Sequence, residues 1–132
     1  MFLAELNQEQ KNCFWCVAQS MIASDGKLDE KEALMMEQYG AEMNFASSDI
    51  ISVDVDAAIN SLVSSLPGLK RRIMFELVGL AYADNDFALE EAKLVDRIKT
   101  AFDLDSKFVE ECKNNINELT SLYCRIRELV NG

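Results

Sequence analysis

Displaced by 59 positions, the sequence aligns with itself without a gap, and the paired positions keep their physical character more than their identity. Phe14 falls on Ile73, Trp15 on Met74, Ala18 on Leu77, Met21 on Leu80, Met35 on Leu94 and Met36 on Val95. Phe14, Ala18 and Met21, like Ile73, Leu77 and Leu80, recur at four- and three-residue intervals, the spacing of one face of a helix. Gly26 falls on Asn85, and these are the two residue types that best tolerate a left-handed backbone after a helix. Each copy therefore reads as a helix, a tight acidic turn and a second helix. Asp25 and Asp84 stand at the turns, with Glu32 and Glu91 seven residues on. Val17 falls on Glu76, which fits a position at the edge of the buried face. Two such hairpins packed about a pseudo-twofold axis bury both stripes together. The expected fold is all-α: a single-domain helical bundle of about six to eight helices built from two pseudo-twofold-related helix–turn–helix halves. The domain is expected to span residues 1–132, with repeat halves at about 8–46 and 67–105.

Local signals place the elements. Asn7 caps a first helix striped by Phe14, Ala18, Met21 and Ile22, which ends near Ser24. Asp29 with Glu32 gives capping-box spacing for the second helix, marked by Leu34, Met35, Tyr39 and Met43 and fading near Phe45. Residues 46–54 form a polar connection, and Ile50-Ile51-Ser52-Val53 reads as an extended loop packing on helices. A short helix follows Asp54, with Ala58, Ile59, Leu62 and Val63 inward. Pro67 opens the next helix, striped by Leu69, Ile73, Leu77, Leu80 and Ala81. After a turn at Asp84-Asn85, a helix runs from about Ala88 to Thr100. Asp105 or Ser106 caps a final helix, with Phe108, Val109, Cys112, Ile116, Leu119, Tyr123, Ile126 and Val130 inward.

Charge and composition restrict function. The chain carries 23 carboxylates against 13 basic residues, a net charge of −10. Such a chain repels phosphate backbones and anionic membrane surfaces, so neither nucleic acid nor membrane is an expected partner. Cations and basic protein surfaces are the natural alternatives. Residues 1–66 hold three basic and eleven acidic residues, so the negative charge is concentrated in the first half. Histidine is absent, which excludes His-based triads, His general bases and His-ligated zinc within the chain. With no nucleophile or phosphate-cradling loop beside the carboxylates, no catalysis is expected. No apolar run reaches the roughly 18 residues of a membrane span, and Met1-Phe2-Leu3-Ala4-Glu5-Leu6 lacks the basic start of a signal peptide. Cytoplasmic residence is the default.

Cys13 and Cys16 form a C-x-x-C without the strand context of a redox motif. Cys112 and Cys124 lie on one helix, about 18 Å apart at 1.5 Å per residue, too far to share a zinc ion. Reduced, partly buried thiols are expected. Lys70-Arg71-Arg72 is a basic cluster that reads as a solvated helix face. Trp15, Met35, Met36 and Met43 read as core or rim.

The segment Ala23-Ser24-Asp25-Gly26-Lys27-Leu28, followed by Glu32, resembles the tellurite-resistance TerB-like family, whose members carry an A-D-G-x-[LV]…E turn in each half of an all-helical domain. Tyr82-Ala83-Asp84-Asn85-Asp86-Phe87 with Glu91 is the second copy, with Asn in place of Gly. The resemblance covers roughly residues 8–130. It implies a cytoplasmic module associated with stress and tellurite resistance, working with other stress-response proteins, whose acidic turns bind metal.

Two readings of the acidic turns follow from the residues themselves. In one, Asp25, Glu32, Asp84 and Glu91 converge on a divalent cation, with Asp29 and Asp86 in reserve; carboxylate oxygens suit Ca²⁺, Mg²⁺ or Mn²⁺. In the other, the same residues cap helices and complement their dipoles, each contributing about 0.3–2 kcal/mol, and the module presents an acidic face to a basic partner without metal. The eight-residue span from Asp25 to Glu32 is not the 12-residue loop of an EF-hand.

Overall fold

A computed structural model describes residues 1–23, 30–82 and 89–132. Among these residues the structure is all-helical, without strands. Six α-helices follow one another: α1 (Gln8–Ala23), α2 (Glu30–Met43), α3 (Val55–Val63), α4 (Pro67–Ala81), α5 (Leu89–Ala101) and α6 (Ser106–Asn131), with a 3-10 turn at Ser47–Asp49 between α2 and α3.

The helix starts follow local capping chemistry. Asn7 Oδ1 accepts the Gln10 N–H at 2.8 Å while Gln10 Oε1 accepts the Asn7 N–H at 2.9 Å, a reciprocal box that satisfies two backbone donors at the head of α1. Asp54 accepts from Ala57 N at the head of α3, and Asp105 from Phe108 N at the head of α6, both at 2.8 Å. Pro67 occupies the first turn of α4, where its missing N–H costs nothing.

The helix ends repeat at the same offset as the sequence. Beyond α2, Asn44 has φ 52°; beyond α5, Asp103 has φ 56°. Phe45 N donates to Gly40 O at 2.8 Å, and Leu104 N donates to Lys99 O at 3.0 Å. Asn44 N reaches Ala41 O at 3.2 Å, and Asp103 N reaches Thr100 O at 3.1 Å. Each residue of one motif stands 59 positions before its counterpart, and both close their helix with the same left-handed cap.

α1 lies at the centre of the fold, in contact with α2, α3, α4 and α5, while α6 packs on α4. Its residues Phe14, Val17, Ala18 and Met21 are fully buried, as are Ile73, Met74, Leu77 and Val78 of α4. Phe14 meets Tyr39 of α2 edge to face at 5.1 Å. Tyr39 Oη donates to the Glu76 carbonyl of α4 at 3.1 Å, tying α2 to α4. Arg97 of α5 pairs with Asp56 of α3.

Several expected faces differ. Leu34 and Val63 are exposed, because each lies beside rather than on its helix's contact line. Ile51 is also exposed; its segment is held through the backbone instead, with Asn12 Nδ2 donating to Ile51 O and Ile51 N donating to Asn12 Oδ1, both at 2.8 Å. In α6 only Val109 and Cys112 are buried, with Phe108 and Ile116 half-buried. Leu119, Tyr123, Ile126 and Val130 are exposed because α6 runs on past the helices that could cover them.

Candidate functional site

Glu32 and Glu91 are the third residues of α2 and α5. A capping carboxylate in a helix's first turn ordinarily stands in water, yet these two are only 2% and 1% exposed. The helical period explains their burial. Glu32 begins the buried line continued by Met36, Tyr39 and Met43. Glu91 begins the line continued by Val95, Ile98 and Phe102. Both lines run at i, i+4, i+7 and i+11, so each carboxylate occupies a slot that the pattern otherwise fills with an apolar side chain. Burying a carboxylate is costly unless hydrogen bonds or a positive charge compensate it.

The other four expected site residues, Asp25, Asp29, Asp84 and Asp86, lie outside the described residues, as do the acidic turns. Among the described residues no group of three or more Cys, Asp or Glu side chains is arranged to hold a metal ion.

Glu42 and Glu76 form a second acidic pair, one the sequence pattern does not single out. Glu76, expected at the edge of the buried face, is 6% exposed, and Val17, 59 positions before it, is fully buried. Glu76 can occupy that slot because a main-chain donor compensates its carboxylate: Phe2 N donates to Glu76 Oε1 at 2.9 Å. Its neighbour Glu42 takes the next N–H, Leu3 N donating to Glu42 Oε1 at 3.1 Å. The Met1 ammonium contacts Glu42 Oε2 at 2.6 Å and Glu76 Oε1 at 2.9 Å. Burial alone would lower the pKa of this ammonium, but the hydrogen bonds and charges of Glu42 and Glu76 outweigh it and hold the group above its ordinary value. The clamp seats Leu3 and Leu6 in the core. The nearby Tyr39 phenol is pushed up by burial and by the charges of Glu76 and Glu42. This pair borders a groove of about 630 Å³ between α2, α4 and α6, whose apolar wall includes Leu34, Met35, Phe75 and Leu119.

All four cysteines are free; Cys13, Cys16 and Cys112 are buried and Cys124 is exposed. Burial pushes the Cys13 thiol up, with a Ser61 hydrogen bond opposing it, and Cys16 Sγ lies 3.6 Å from Ile51 O. Burial likewise pushes Cys112 up to about 11, with help from the Glu111 charge. Raised thiols are the opposite of the lowered ones that redox motifs use. In the basic cluster, Arg72 pairs with Glu5 and Lys70 Nζ donates to Val63 O at 3.2 Å, so two of its three cations serve local structure. No helix among the described residues is long and apolar enough to cross a membrane.

No family model matches the chain, and no curated protein matches it. The chain is similar in fold to the crystal structure of a protein of unknown function, PG1108, from Porphyromonas gingivalis W83. That likeness covers 86% of this chain and 97% of the other, with a TM-score of 0.59 at 21% sequence identity. At that identity the shared property is the fold.

Proposed function

We propose that this chain is a non-catalytic, TerB-like cytoplasmic module of stress or tellurite resistance that holds a divalent cation through its acidic turns. Glu32 and Glu91 are the core-side ligands, Asp25 and Asp84 the turn ligands, and Asp29 and Asp86 stand in reserve. The observation that carries this reading is the burial of two carboxylates, 2% and 1% exposed, at positions 59 residues apart. Each occupies a slot that its helix otherwise fills with an apolar side chain. The matching caps at Asn44 and Asp103 support two halves that place their Glu residues alike. An all-oxygen donor set favours Ca²⁺, Mg²⁺ or Mn²⁺ over zinc.

The test is thermal melting across a titration of each cation. A rise in melting temperature that is abolished by Asp25→Asn together with Asp84→Asn supports the site. A flat response to millimolar concentrations of all three cations removes it and leaves the acidic protein-interaction module, whose binding to a basic partner would weaken with salt.

A further inference from the structure

In α6, Val109, Cys112, Ile116, Leu119, Tyr123, Ile126 and Val130 alternate at intervals of three and four residues. That 3.5-residue period is the spacing of a seam along which two helices pack. The first part of the seam is used: Val109 and Cys112 are buried and Ile116 packs near Gly79 of α4. From residue 117 onward every residue is exposed. Leu119, Tyr123, Ile126 and Val130 continue the seam at 47%, 62%, 47% and 70% exposure, and Leu122 and Leu129 widen it at 46% and 80%. Contiguous apolar surface of this kind marks an interaction site.

Charge and area point to a second copy of the same chain as the occupant. Residues 117–132 contain Glu118, Arg125, Arg127 and Glu128, and so are neutral, while the whole chain carries −10. Two copies that meet along this neutral arm bring no net like charge into contact. Glu118 and Glu128 fall on helix positions away from the seam. Arg127 lies at its flank, 6.0 Å from the Tyr123 ring. The six apolar side chains present on the order of 500 Å² per copy, so pairing buries about 1,000 Å², the threshold for a specific interface. The arm is about 22 Å long at 1.5 Å per residue. Antiparallel pairing sets the two acidic bodies at opposite ends of it.

We propose that the second half of α6 is a self-association helix, through which two copies of this chain pair along Leu119, Tyr123, Ile126 and Val130. The test is sedimentation velocity on the full chain at micromolar to hundred-micromolar concentrations, beside Ile126→Glu and a Glu128→Gln control. The expected result is a concentration-dependent species of twice the 14.9 kDa chain mass. Ile126→Glu should shift it to monomer by tenfold or more in dissociation constant, and Glu128→Gln should leave it unchanged. Both substituted side chains are solvent-facing, so far-ultraviolet circular dichroism should stay native. Two results would overturn the proposal: a wild-type chain that stays monomeric throughout, or a dimer that survives Ile126→Glu.

Discussion

Asn44 and Asp103, 59 residues apart, hold the same left-handed backbone, at φ 52° and 56°, and each is followed by an N–H that bonds back five residues to its helix. Neither is glycine, so each cap carries residual strain, which Asn and Asp bear better than other side chains.

The strain predicts opposite effects at one position. Asp103→Gly should raise stability by about 0.5–1 kcal/mol, because glycine enters the left-handed region without a Cβ clash. Asp103→Val should lower it by about 1–2 kcal/mol, since a β-branched residue resists positive φ. Asn44 should respond in the same directions. Urea denaturation of the four single variants measures this, and a stabilising valine would show that the caps are unstrained.

How far the sequence reveals the fold depends on the range of each interaction. Asn7, Asp54 and Asp105 are legible as helix starts because cap and partner lie within four residues of each other, and Pro67 because its fixed φ suits a first helical turn. The caps at Asn44 and Asp103 are fainter, as glycine would have announced them, yet the 59-residue offset brings them into register. The sequence marks α2 by Leu34, Met35, Tyr39 and Met43 and reads Glu32 as a cap, whereas the buried line runs Glu32, Met36, Tyr39 and Met43; a capping-box pattern points the same residue to the surface. Glu76 was not legible: its partner Phe2 lies 74 residues away, and periodicity does not encode such a contact. The exposed seam of α6 shows the same limit. Periodicity defines which face of a helix is apolar, and the lengths of the neighbouring helices decide whether anything covers it.

The buried carboxylates make a prediction about shared ligation. If Glu32 and Glu91 hold one cation, Glu32→Gln alone and Glu91→Gln alone should each remove most of the metal-induced stabilisation. At a cation concentration one hundred times the dissociation constant, the wild-type gain is about 2.7 kcal/mol, or a rise in melting temperature of roughly 10 °C for a domain of this size. Calorimetric melting with and without Ca²⁺ or Mn²⁺ checks it. Two single variants that each keep half the gain would indicate two independent sites.

The clamp at Glu42 and Glu76 predicts how the first residues contribute to stability. Leu3 is fully buried, so Leu3→Ala should cost about 2–4 kcal/mol through lost transfer energy and an unfilled cavity. The Met1 ammonium has a folded pKa above its ordinary value. Its contribution is therefore complete below about pH 8, the ordinary value for an α-amino group, and is lost as pH rises through the folded value. Melting temperature should fall between pH 7 and pH 10 by more in the wild type than in Glu42→Gln. Equal slopes would show that the ammonium adds nothing.

Three of the thiols, Cys124, Cys13 and Cys112, should separate by rate. Cys124 is exposed on the outer part of α6, whereas Cys112, four helical residues before Ile116, is buried with its thiol pushed up to about 11. At pH 8 about one Cys112 thiol in a thousand is ionised, and the thiolate is the reactive form. Iodoacetamide should therefore label Cys124 first and Cys112 far more slowly, with Cys13 held back by the burial that raises its thiol. Mass spectrometry of timed digests measures the order. Raising the pH from 8 to 9 should speed Cys112 about tenfold while the fold stays intact, because its ionised fraction is still climbing along that range. Cys112 labelled as fast as Cys124 at pH 8 would mean that the α4–α6 contact opens on the timescale of the reaction, since neither ionisation nor access in the closed fold permits such a rate.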